Sequence, residues 1–235
     1  MANRYFDNSQ LAEAVRIASG QTKGVSHINK FGFGDATTAS TTVWDGDSNY
    51  AYPSVADFAT VTTAGADSGA VVEIQGLDSN YALVSESITG TSSGATGTQP
   101  FLRVFRATIT SDAGTNASDV TISVDNKDAA IISAGEGQTL MAVYTVPANK
   151  TAYLENLHAA PTKKDNDTII TLTARPFGGI FNTKGKFAST GEVIHYDYQV
   201  PLKFDEKTDI EIKAENQAAS GSISALFDLI LVDDF

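Results

Sequence analysis

Three histidines, His27, His158 and His195, are the first residues to weigh for chemistry, since imidazole ligates metals and moves protons near neutral pH. They are scattered along the chain, give no evident metal triad, and each reads as a sheet residue with one hydrogen-bond partner. The stretch GIFNTKGK, residues 179–186, looks at first like a phosphate loop and fails as one. Five residues rather than four separate its glycines, and Phe187 stands where a magnesium-binding Ser or Thr belongs. Asp45-Gly46-Asp47-Ser48-Asn49 alternates oxygen ligands as a calcium loop does at its start. Tyr50 replaces the required glycine and Ala56 the bidentate glutamate, which excludes a helix–loop–helix calcium hand and leaves an Asx-rich turn. No G-x-S-x-G elbow is present for a Ser-His-Asp triad, and no spacing singles out a carboxylate pair for glycoside hydrolysis. The expectation is therefore a protein that is not an enzyme, with no catalytic residue, no metal and no cofactor. Trp44, Tyr50 and Tyr52 form a candidate exposed aromatic loop that would suit sugar stacking; the bland alternative is aromatic rings plugging the end of a sandwich.

Composition narrows the partners. The 235 residues carry 16 Lys plus Arg against 28 Asp plus Glu, a formal charge of −12. Such a surface repels phosphate backbones and anionic headgroups, so neither nucleic acid nor membrane is an expected partner. No apolar run approaches the ~20 residues of a membrane helix. MANRYFDNSQ lacks the basic-then-apolar order of a signal peptide, so a protein made and left in the cytoplasm of its producer, or released by lysis, is expected, and the three N-x-S/T sequons carry no weight. With no cysteine there is no disulfide staple and no thiolate chemistry. A chain this long can bury about 70% of its unfolded surface without one.

The elements that would position any site are mostly strands. In Leu140–Val146, residues Leu140, Ala142, Tyr144 and Val146 share one face; Pro147-Ala148-Asn149-Lys150 turns the chain; Thr151–Leu157 runs extended again, which predicts a hairpin. Short strands with turn signals every 8–12 residues fill the first half: Thr42–Trp44, Phe58–Thr63, Ala70–Leu77, Tyr81–Ile88, Phe101–Ile109 and Val120–Val124. Arg103 joins the apolar face of Phe101–Ile109. In Asp209–Glu215, Ile210, Ile212 and Ala214 point inward and Asp209, Glu211, Lys213 and Glu215 outward, while Ser222–Val232 is apolar on both faces and reads as a central strand. Asp7 and Gln10 predict a helix start, with Leu11, Ala14, Val15 and Ala18 on one side and Gly20 at its end. The fold expected is all-β: two tandem antiparallel β-sandwiches, jelly-roll-like, at residues 31–130 and 137–235, preceded by an arm with a short helix at 1–30. Residues 125–136 serve as the junction.

Two ordered sets of short motifs carry a resemblance. The first is Lys30-Phe31-Gly32, Thr42-Val43-Trp44-Asp45-Gly46, Gly76-Leu77-Asp78 and Phe101-Leu102-Arg103-Val104-Phe105-Arg106. The second is the run from Tyr144 to Leu154, then Val200-Pro201 and Lys207-Thr208-Asp209-Ile210. Over residues 25–235 they resemble virion structural proteins of tailed bacteriophages, with Asn149 where glycine is expected after Val-Pro-Ala. The resemblance implies a virion component, foremost a capsid cement or decoration protein on the outer surface of the head. Its partners would be the major capsid protein and itself, as a homotrimer. The arm residues Phe6, Leu11, Val15 and Ile17, together with Phe31, are the candidate shell contacts. Other head or tail parts and a glycan-binding receptor module are the competing readings; the latter expects exposed aromatics near Trp44–Tyr52 and Phe177–Phe187.

Overall fold

The computed structural model describes residues 13–46, 48–111, 115–162, 167–218 and 220–234. Among the described residues the structure is all-β apart from one short α-helix, α1 (Glu13–Ala18), and a single 3-10 turn at Gly65–Asp67. Gly20, at φ +69, and the Gly20 amide bonded to the Ile17 carbonyl end that helix where the sequence places its stop. The arm residues Phe6 and Leu11, and the expected cap at Asp7, lie outside the described residues.

After α1 come β1 (Val25–Ala36) and β2 (Thr41–Thr42). The next seven strands, β3 (Asp57–Thr62), β4 (Val71–Leu77), β5 (Leu83–Thr89), β6 (Ala95–Phe101), β7 (Arg103–Ile109), β8 (Val120–Val124) and β9 (Lys127–Ile132), form a sandwich of their own. Its sheets run β6-β3-β8-β9 and β5-β4-β7. Between them lies a core of Val61, Ile74, Ala107, Ile122 and Ile132. The chain then continues through β10 (Val143–Thr145), β11 (Lys150–Pro161), β12 (Thr168–Arg175), β13 (Asn182–Ser189), β14 (Ile194–Phe204), β15 (Asp209–Asn216) and β16 (Gly221–Asp233). These strands join β1 and β2 in a second sandwich with sheet orders β1-β16-β11-β14 and β10-β15-β12-β13, β2 pairing with β15 beyond β10.

Counting β2 and β10 as one interrupted strand, the second sandwich has eight positions. Its sheets then read first-eighth-third-sixth and second-seventh-fourth-fifth, the strand order of a jelly roll. Both halves of the interrupted strand hydrogen-bond β15, β2 at Lys213 and Ala214, β10 at Asp209 to Glu211. The smaller sandwich is therefore inserted into one strand of the larger. The tandem boundary expected at residue 31 is corrected accordingly: β1 pairs along its whole length with β16, at the other end of the sequence. Residues 125–132 are also a hairpin rather than a junction. Asp125 and Asn126, at φ 53 and 55, make the two-residue turn that joins β8 to β9.

The expected hairpin at residues 140–157 is corrected too. Asn149 takes φ +59 as the turn requires, but β10 bonds β15 in one sheet while β11 bonds β14 and β16 in the other. The turn carries the chain across the sandwich, so Tyr144 and Leu154 enter one core from opposite sheets instead of lying side by side. β16, flanked by β1 and β11, is central as its apolar pattern predicts. Gly32 shows why the first motif needs its glycine. A Cβ there would sit 2.5 Å from the Ala142 amide nitrogen and closer still to the Val43 carbonyl oxygen, so the interrupted strand could not pack under β1.

Candidate functional site

The outer face of the sheet β1-β16-β11-β14 collects most of the residues singled out from sequence. On β1 the odd positions His27, Asn29, Phe31 and Phe33 point away from the core, because the even positions Lys30, Gly32, Gly34 and Ala36 are buried beneath them. On β16 the alternation puts Phe227 and Leu229 inward and Leu226, Asp228 and Ile230 outward. α1 rests at one end of this face: Ala14 and Ile17 meet His27 and Ile230 around a shallow depression. Val15 is exposed and Ile17 half-buried, and no residue of α1 is buried within the chain.

The middle of the face is polar. Asn29 Nδ2 donates to Asp228 Oδ1 at 2.7 Å, and His27 Nε2 lies 3.1 Å from the same oxygen. One strand over, His158 and His195 are direct cross-strand partners on β11 and β14. All three histidines, remote in sequence, thus share one surface. The far end is apolar. Phe31, Phe33, Leu226 and Val193 border a groove of about 240 Å³ floored by Ala160 and Ala225. Val193 is 70% exposed and Val200, farther along β14, 80%. At the open edge between β13 and β14, Phe187, Tyr196 and Tyr198 stack with ring centroids 5.3 and 4.8 Å apart.

The second feature is a cleft of about 380 Å³ where the two sandwiches meet, and the sequence reading missed it. Asp209, expected to face solvent, is buried because the inserted sandwich covers that side of β15. Arg103 Nε and Nη2 donate to its two carboxylate oxygens at 2.8 and 3.2 Å, Arg175 Nε and Nη2 donate to Oδ2 at 2.9 and 2.6 Å, and Thr145 Oγ1 donates to Oδ1 at 2.6 Å. The cations also stack on rings: Arg175 lies 4.7 Å from the centroids of Tyr52 and Phe181, and Lys207 5.4 Å from that of Phe177. Phe177 itself is 67% exposed at the cleft mouth. Glu211, the next outward-facing residue expected on β15, is buried as well; burial pushes its carboxyl up, opposed by Lys213 and by hydrogen bonds from Thr42 and Thr173. The one signal available beforehand was Arg103, a cation on an otherwise apolar strand face, which must bring a buried carboxylate with it.

The exposed aromatic loop is corrected by burial. Trp44 is 3% and Tyr50 6% exposed, and Tyr52 is half-buried with its hydroxyl enclosed. The rings stack edge to face in series, with centroids 5.1 and 4.7 Å apart, and close the core of the inserted sandwich, so no sugar can stack on Trp44 or Tyr50. Tyr50 Oη donates towards the carbonyls of Val104 and Ala129, and Trp44 Nε1 donates to the Ser48 carbonyl. The Asp45 carboxylate accepts from the Ser133 hydroxyl and the Leu140 amide, tying the strands that enter and leave the insertion. Residues 179–186 form the β12–β13 turn and the start of β13. Among the described residues no group of three or more His, Asp or Glu side chains converges to hold an ion, and no helix is long and apolar enough to cross a membrane.

No protein-family model matches the chain, and no curated protein matches it either. Among solved structures it is similar to that of infectious bursal disease virus, Gt strain, at 11% identity and TM-score 0.25, covering 90% of this chain and 73% of that one. It is similar to infectious bursal virus derived T=1 particles at 12% identity and TM-score 0.25, covering 96% and 76%. A third is the infectious bursal disease virus VP2 subviral particle, at 9% identity and TM-score 0.24, covering 95% and 78%. Likeness at this level fixes neither fold nor function, which rest on the strand order and surfaces described above.

Proposed function

We propose that the chain is a virion structural protein, and more narrowly a cement or decoration protein that binds the major capsid protein on the outside of a tailed-phage head, as a homotrimer. The observation that carries this reading is the outer face of the jelly roll. It is a four-stranded sheet with an apolar groove bounded by Phe31, Phe33 and Val193, and with a helix at one end none of whose residues is fully buried. Apolar surface fixed on a sheet favours docking by many modest contacts, and repetition around a shell multiplies them. Jelly rolls recur in capsid and lectin domains, a fold-level analogy that raises this reading without deciding it. The ordered motifs shared with phage virion proteins point the same way, and the net charge of −12 keeps such a protein off packaged DNA.

The test is occupancy on particles. Purified full-length protein added to undecorated heads is expected to bind saturably. Deleting residues 1–24 is expected to abolish incorporation while far-UV circular dichroism and the thermal midpoint stay unchanged, because α1 contributes no buried residue. A truncated chain that still decorates to full occupancy removes the arm from the contact; intact protein that binds no shell removes the whole reading. One observation favours a second reading, glycan recognition: Phe177 exposed beside Arg175 and Lys207 at the junction cleft. A glycan array with Phe177→Ala as control separates the two.

A further inference from the structure

The two histidines on β11 and β14 form a pair whose geometry goes beyond a sheet contact. His195 Nδ1 stands 2.9 Å from His158 Nδ1 and 2.8 Å from His158 Nε2, with ring centroids 4.0 Å apart. On its other side His195 Nε2 lies 2.8 Å from Asp197 Oδ2. A carboxylate accepts only, so in the neutral ring Nε2 carries the hydrogen and Nδ1 presents its lone pair to His158. Both nitrogens of His158 are near that lone pair, so a turn of its ring brings either one to face it.

We propose that His158 and His195 bind a divalent late transition metal, of which Zn²⁺ is the representative. Two imidazole nitrogens on one tetrahedral zinc, at about 2.05 Å each, stand about 3.3 Å apart. The pair meets that spacing by opening about half an ångström, on a face with room to do so: the His195 side chain is 51% exposed. Asp197 plays the part of the carboxylate that holds a ligating histidine in orientation. The β11–β14 pairing sets the two ligands on adjacent strands, so the sheet has already fixed their backbones. Imidazole selects zinc, copper and nickel over calcium and magnesium. Two protein ligands leave two positions for water, which distinguishes this from a closed structural site and explains why no three-residue cluster marks it. His27 on β1 belongs to a separate contact with Asp228 and takes no part.

Isothermal titration of the full chain with Zn²⁺ tests the site. One ion per chain is expected for the wild type and for His27→Ala. The heat is expected to vanish in His158→Ala and in His195→Ala, and affinity to fall about 10-fold or more in Asp197→Asn. Ca²⁺ is expected to give no saturable heat. Circular dichroism of each variant, unchanged on this exposed face, separates loss of the site from loss of the fold. Wild-type protein that takes up no Zn²⁺, or single histidine variants that keep the full stoichiometry, overturn the proposal.

Discussion

Asp209 is where single residues govern the molecule. Its carboxylate is buried, accepts from two guanidiniums and a threonine, and links β15 of the jelly roll to Arg103 of the inserted sandwich. Asp209→Ala leaves Arg103 buried without its partner, which is expected to cost about 3–5 kcal/mol, read as a lowered denaturant midpoint. A substitution that costs nothing would mean water has replaced the carboxylate at the junction. Lys30 is the converse case. Its ammonium is buried, donates to the Phe105 carbonyl, and is held well below the usual lysine range by burial and then by the Arg106 charge. Below the folded pKa the native state bears the full cost of that buried charge. Between the folded pKa and the ordinary value of 10.5 the unfolded chain binds more protons, so native stability rises with pH through that window. Lys30→Met removes the dependence. The stability difference, variant minus wild type, is expected to fall as pH is raised towards 10.5, by no more than about 1.4 kcal/mol per unit. A difference that does not change with pH rules out a buried ammonium at this position.

At the scale of elements, period-two alternation located most strands. Phe58–Thr63, Ala70–Leu77, Val120–Val124 and Thr168–Arg175 fall within a residue or so of β3, β4, β8 and β12, because each has one face in a core. What alternation does not carry is the partner. The run through Tyr144, Asn149 and Leu154 has the same pattern whether its two strands lie side by side or face each other across a core, and the second holds. Nor does alternation report a second covering layer: Asp209 and Glu211 read as solvent-facing because the sandwich that buries them is remote in sequence. Ala95 and Thr96, at the end of a glycine-rich segment, open β6 by pairing with β3. The turn at Asn149 was legible from its chemistry alone and can be tested that way. Asn149→Gly is expected to keep or slightly raise the thermal midpoint. Asn149→Val, forced to φ +59 with a branched Cβ, is expected to cost about 1–2 kcal/mol. Equal midpoints would show that the crossing does not need the left-handed residue.

For the whole molecule, the consequential fact is nesting. Both ends of the described chain are needed to build one sandwich: β1 covers one edge of β16, and β2 extends the pairing of β15 begun by β10. The insertion is stitched at its base. Trp44 bridges to Met141, Asp45 binds Ser133 and Leu140, and Trp44, Tyr50, Met141 and Val143 all pack into the core of the inserted sandwich. Nothing in local sequence announces this, since the pairing of residue 25 with residue 232 spans nearly the entire chain. It does decide how the protein can be divided. A fragment of residues 137–235, the unit that the tandem reading treats as a domain, lacks β1 and β2 and leaves the apolar strand β16 with an open edge. It is expected to aggregate or to show no cooperative unfolding. Joining residues 25–44 to residues 137–235 through a short flexible linker in place of 45–136 restores every jelly-roll strand and is expected to recover a β-rich circular dichroism spectrum with a single thermal transition. The recovered transition should lie below that of the intact chain, since Leu77 and Phe105, supplied to the jelly-roll core by the insertion, are missing. If residues 137–235 alone unfold cooperatively, the interrupted strand and β1 are ornaments on a self-sufficient sheet, and the order first-eighth-third-sixth is not what holds the larger sandwich together.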